Sequence, residues 1–230
     1  MDCFLTDLAF LIKGQNSKTL ENLELKWQHY ESPRRGIHKI LDCIEESLKS
    51  RKSPLKVEVL SMNAQNQDQV MQILPYLNPK SLRFLRINDT GRRREAKFEM
   101  DKIFELEHWN RLKIIYIEHY IGGEDLKHFA HVRTGYVHIT FLNMEVYKAM
   151  LEFPSCNPRF EKLIIFFTTR PNVGELRSAL KEDQAPESKK ERFIQVQLRY
   201  GRAFIMSRQC YEKEKNDSDA YDSETDSDGD

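Results

Sequence analysis

ILPYLNPKSLRFLRIN, residues 73–88, contains two kinds of periodicity separated by two prolines. The stretch leading into it, QDQVMQIL (67–74), sets Val70, Ile73 and Leu74 at the i, i+3, i+4 spacing of one helix face. Pro75 has no amide proton to continue that helix, and Pro79 follows four residues later. Then Leu82, Leu85 and Ile87 read apolar-x-x-apolar-x-apolar. The alternating end of that pattern predicts a strand with one buried face. The segment therefore reads as a helix end, a proline-set turn and a strand.

The same pattern recurs along the chain. Copies read from Leu20, Leu23, Leu25; Leu112, Ile115, Ile117; Tyr136, Ile139, Phe141; Phe160, Leu163, Ile165; and Phe193, Val196, Leu198, with a weaker copy at Pro54, Val57, Val59. Including the copy at Leu82, this gives seven, spaced 24 to 34 residues apart. Helical segments lie between them. Residues 37–50 carry Ile37, Ile40, Leu41, Ile44 and Leu48 on one stripe, and 98–109, 124–132, 143–153 and 172–181 read likewise. Strands separated by helices or long connections pair in parallel through crossovers. A doubly wound sheet would bury both strand faces and require continuous apolar runs. Here polar residues interleave, as with Asn22, Glu24 and Lys26, or Gln195, Gln197 and Arg199. The predicted fold is therefore α/β, a leucine-rich-repeat-like arc of about seven parallel strands alternating with helices, wet on its concave sheet face.

Composition narrows the class. The 230 residues are 40% hydrophobic and 31% charged, ordinary for a globular domain. The formal net charge of zero is unevenly spread: from Tyr211 to Asp230 nine acidic residues and two lysines give −7, leaving +7 on the rest. Residues 1–208 read as one repeat domain and 209–230 as a disordered acidic tail, with too little apolar surface to offset the entropy of ordering. Within the tail, Ser223, Thr225 and Ser227 each have an acidic residue three positions on, the pattern of acid-directed phosphorylation. Cys3, Cys43, Cys156 and Cys210 are widely spaced and make no C-x-x-C pair, which fits reduced thiols. The opening MDCFLTD has acids where a secretory leader is basic, and no apolar run is long enough to span a bilayer. These features predict a cytoplasmic or nuclear protein without a membrane partner.

No nucleotide-binding glycine loop or nucleophile elbow is present, and the acidic residues form no readable catalytic constellation, so the sequence predicts no enzyme, no catalytic residue and no cofactor. Glu124, His128 and His131 share a helical face, but no H-E-x-x-H pattern or distant Cys/His pair completes a metal site. Arg92, Arg93 and Arg94 form a basic loop; RNA binding through it and the basic body is the rival reading, disfavoured because no aromatic residue interleaves the arginines. The predicted wet face is unusually apolar in its middle. Phe84, Ile114, Tyr116, Leu142, Ile164 and Phe166, with Arg86, Glu118 and Lys162 setting polarity, are the candidate partner-binding residues.

Five stretches, LKSRKSPLKVEVLSM (48–62), QVMQILPYLNPKSLRFLRIN (69–88), IFELEHWNRLKIIYI (103–117), HFAHVRTGYVHIT (128–140) and FEKLIIFF (160–167), resemble the FTH domain, a nematode-expanded domain of unknown function found in F-box-A proteins. The resemblance runs in order from about Phe4 to Met206. It implies a non-catalytic domain that selects a protein target. In the family an F-box upstream binds Skp1 and links the chain to a cullin-based ubiquitin ligase. The 19 residues ahead of the first predicted strand are fewer than that segment needs, so the chain is expected to be either an F-box-less relative or one whose start is truncated; target binding is expected in both cases, and recruitment of the Skp1–cullin machinery is left open.

Overall fold

The computed structural model describes residues 2–15, 18–27, 35–89, 97–146, 157–169, 195–199 and 202–207, with single positions at 148, 153, 210, 212 and 213. The chain is mixed α/β, with mostly parallel strands alternating with helices. It divides into two compact units, Met1–Gly122 and Gly123–Asp230.

The first unit begins with α1 (Asp2–Gly14), β1 (Leu20–Leu25) and α2 (Arg35–Lys49). β2 (Val57–Ala64), α3 (Gln67–Met71), a 3₁₀ turn (Leu74–Tyr76) and β3 (Phe84–Asp89) follow. Two short helices, α4 (Asp101–Phe104) and α5 (Glu107–Arg111), lead into β4 (Ile114–Ile121). β1 to β4 lie side by side in sequence order, each parallel to the next. Their register stacks the apolar pattern into rows: Leu23, Leu60, Leu85 and Ile115, then Leu25, Met62, Ile87 and Ile117. From β2 to β4 these rows are fully buried. Leu41, Ile44 and Leu48 of α2, with Val70, Ile73, Leu74, Ile103 and Trp109 from the later connections, complete the core. Each such side chain contributes about 1.5–3 kcal/mol by leaving water.

The second copy is three residues later than the sequence reading placed it. Pro54 is exposed, whereas Val57, Leu60 and Met62 are buried and pair with Leu20, Leu23 and Leu25. The segment that opened the reading folds as predicted. Asn66 caps α3 by accepting from the Gln69 amide at 3.1 Å, and Pro75 sits at the start of the 3₁₀ turn. Beyond Pro79, Asn78 Oδ1 accepts from the Lys80 amide at 2.9 Å. The Ser81 hydroxyl donates to the Asn78 carbonyl and accepts from the Val57 amide, tying the turn to the start of β2. At the other end of the unit, Arg51 donates to the carbonyls of Ile12 and Gln15, capping α1.

The second unit contains a 3₁₀ helix (Gly123–Phe129), β5 (Thr134–Phe141), β6 (Lys162–Thr169), β7 (Gln195–Arg199) and β8 (Arg202–Met206). β5 and β6 are parallel, but β8 is antiparallel to both β6 and β7. The parallel order read from the pattern therefore stops at β6, because the eighth strand follows β7 after too few residues for a crossover. In the copy at Tyr136, Ile139 is fully buried as read, but Tyr136 is half-buried and Phe141 is 49% exposed, while Val132, Gly135 and Val137 are buried. Gly135 stands where other copies have a large apolar residue, because a Cβ there would come within 2.5 Å of Leu163 Cδ1. Among the described residues no helix is long and apolar enough to cross a membrane. The predicted helix at 172–181, the loop Arg92–Arg94, Phe193 and the tail positions Ser223, Thr225 and Ser227 lie outside the described residues.

Candidate functional site on the sheet face

Strand alternation leaves the other face of the first unit partly open. Side chains at alternate positions of β3 and β4 (Phe84, Arg86, Asn88; Ile114, Tyr116, Glu118) are all half-buried, while their neighbours Leu85, Ile87, Ile115 and Ile117 are fully buried. Register aligns Asn22, Val59, Phe84 and Ile114 in one row, and Glu24, Ser61, Arg86 and Tyr116 in the next. Asn63 and Asn88 pair in a third.

Arg86 is the centre of this surface. Its guanidinium lies 4.8 Å from the Tyr116 ring centroid and 5.4 Å from that of Phe84, so two aromatic rings hold one cation. Among the described residues its buried Nε has no hydrogen-bond partner, and neither has the hydroxyl of Ser61, its register neighbour. The acids on the same face are engaged. Glu24 accepts from Lys26 Nζ at 3.0 Å, and this bond, then one from Asn22, holds its carboxyl below the usual range. Glu118 accepts from the Asp89 amide at 3.1 Å. In the third row Asn88 donates to Asn63 Oδ1 at 3.2 Å, and Asn63 donates to the Trp27 carbonyl at 2.8 Å.

The candidate residues thus fall into two groups. Phe84, Arg86, Ile114, Tyr116 and Glu118 come together on the first unit. In the second, Lys162, Ile164 and Phe166 alternate along β6 beside Thr134, Tyr136 and His138, and the His138 and Phe166 rings stack at 4.6 Å. Two placements correct the sequence reading. Leu142 is only 1% exposed, because β5 ends at Phe141 and the chain turns inward before Asn143 Oδ1 accepts from the Val146 amide. Ile164 is only 6% exposed, so it is no accessible anchor. Sequence reasoning missed Val59, Ser61 and Asn63 as members of the face. The copy set at Pro54 made Val59 a core residue and hid the phase of β2. Among the described residues no group of three His, Cys, Asp or Glu could hold a metal ion.

Buried repeat rows on one side and a half-open row of aromatic, amide and charged side chains on the other define an α/β repeat protein of strand–helix units. The family model described as the FTH domain matches residues 38–176, more than half of the chain, and the chain belongs to that family. No curated protein and no solved structure is matched.

Proposed function

We propose that this chain is a non-catalytic protein-interaction module that binds a partner through the open sheet face of its first unit. The observation that carries this reading is Arg86, presented between Phe84 and Tyr116 among half-buried apolar side chains. Aromatic residues and arginine are the side chains that most often dominate protein interfaces. The acids of the face are held in hydrogen bonds, and an arginine does not exchange protons near neutral pH, so the surface suits recognition better than acid–base chemistry. Family membership supports the same reading: the FTH resemblance implies selection of a protein target, as in F-box-type ubiquitin-ligase adaptors.

The test is affinity capture from native extract with the whole chain and with a Phe84→Ala/Tyr116→Ala variant, followed by mass spectrometry. A partner retained by the first and lost from the second is the expected result. Skp1 among the retained proteins would extend the role to ligase recruitment. Identical retained sets would move binding off this face.

A further inference from the structure

Arg86 is more than one polar residue in an apolar patch. Ser61 and Arg86 are register neighbours on this face, and Arg86 Nε and Ser61 Oγ are both buried without a hydrogen-bond partner among the described residues. Buried donors are almost always satisfied, and each one left unpaired costs about 1–3 kcal/mol. A native structure that carries two such groups calls for an explanation. Arg86 makes no hydrogen bond or ion pair with any described residue; its contacts are the two ring faces. The rings of Phe84 and Tyr116 flank the guanidinium and restrict its movement, so less side-chain entropy remains to be lost when an anion arrives. Ser61, its register neighbour on β2, is 3% exposed.

The charges around Arg86 restrict what the anion is. On the same face stand Glu24 and Glu118, against Lys26 and Arg86, for a net charge near zero. A continuous phosphate backbone would meet carboxylates beside the one arginine and gain little. A single carboxylate flanked by apolar groups fits, since Val59, Phe84 and Ile114 share the row beside Arg86. From this we infer that the face reads one acidic side chain of an extended peptide segment in its protein partner, with Arg86 as the anion seat and Phe84 and Tyr116 as its clamp. The carboxylate takes the fork of the guanidinium in a bidentate pair. Flanking apolar side chains of the peptide lie on Val59 and Ile114. The inference rests on the face being the partner interface and adds the chemistry of what it binds.

The experiment selects short linear peptides from a phage-displayed library on the whole chain. The selected peptides are then synthesised in acidic form and with the acid exchanged for its amide. Affinities are measured on the wild type and on Arg86→Gln, Arg86→Lys and Tyr116→Ala, each first checked for an unchanged thermal unfolding curve. The inference expects one Asp or Glu position common to the selected peptides. Arg86→Gln should weaken binding about ten- to a hundredfold, and the amide exchange should cost as much on the wild type and nothing further on Arg86→Gln. Arg86→Lys, which keeps the charge and loses the fork, should fall between. Peptides that need Tyr116 but share no acidic position would overturn the anion seat and leave the interface standing. Peptides indifferent to both substitutions would overturn both. Oligouridylate bound through Arg86 more tightly than any acidic peptide would replace the peptide with a nucleic acid.

Discussion

The buried Ser61 hydroxyl has no hydrogen-bond partner among the described residues. In the unliganded chain Ser61→Ala removes an unsatisfied buried group, so stability should hold or rise by up to about 1 kcal/mol in urea unfolding. A loss larger than that would mean the hydroxyl has a partner. Gly135 gives the opposite expectation. Alanine there would press a methyl group against Leu163, which is itself buried, and should cost about 1–3 kcal/mol. Adding Leu163→Val should recover part of that cost, since it shortens the side chain that fills the gap. Neither residue was legible as special in the sequence. A glycine breaks an apolar pattern silently, because its role is set by a side chain on the next strand. Arg86, Phe84 and Tyr116 were legible, because alternation alone puts them opposite Leu85, Ile87 and Ile115.

At the scale of elements, α2 was the clearest in advance. Its apolar stripe buries Leu41, Ile44 and Leu48 as the spacing predicts, and Ile44→Ala should cost about 2–5 kcal/mol. The strands were legible as elements, but the copy at Pro54 and the two ends of the copy at Tyr136 were not legible in phase. A pattern of three apolar positions tolerates a shift wherever Val or Tyr lies on both faces, and only cross-strand register resolves it. β8 went unseen, because Arg202–Met206 carries a single short apolar run and no preceding helix. Two buried histidines tie elements together, His119 of β4 to the end of β2 and His108 of α5 to the turn before β3. The His119 Nε2–H donates to the Ala64 carbonyl at 2.8 Å, with Nδ1 3.8 Å from Asp89, and the His108 Nε2–H donates to the Leu77 carbonyl at 2.8 Å. Burial is the main cause that holds both below the ordinary histidine value of 6.5, in His119 against the pull of Asp89. The unfolded chain therefore takes up protons first. The stability contributed by the neutral rings is present above about pH 6.5 and is lost as pH falls through the lower folded values. Tm should accordingly be lower at about pH 5 than at about pH 7.5. His119→Gln, which keeps a donor for Ala64, should flatten the slope; an unchanged slope would mean these rings do not titrate with unfolding.

On the scale of the whole molecule, the repeat rows make one side of the sheet in the first unit a closed core and leave the other half-buried. The alternation of strands and helices was readable because it needs only local period and parallel crossovers. The surface proposed to bind a partner was readable in part. Its aromatic and charged residues follow from strand phase, but the clamp around Arg86 depends on Phe84, two residues before it on β3, and Tyr116, in register on β4, meeting the same guanidinium. Partner binding through that face is the central claim, and hydroxyl-radical footprinting of the chain alone and with its captured partner tests it most directly. Phe10, 77% exposed on α1, serves as the reference. The account predicts that oxidation of Phe84 and Tyr116 falls sharply on binding while Phe10 is unchanged. Undiminished oxidation of Phe84 and Tyr116, with protection of Phe10 instead, would contradict it.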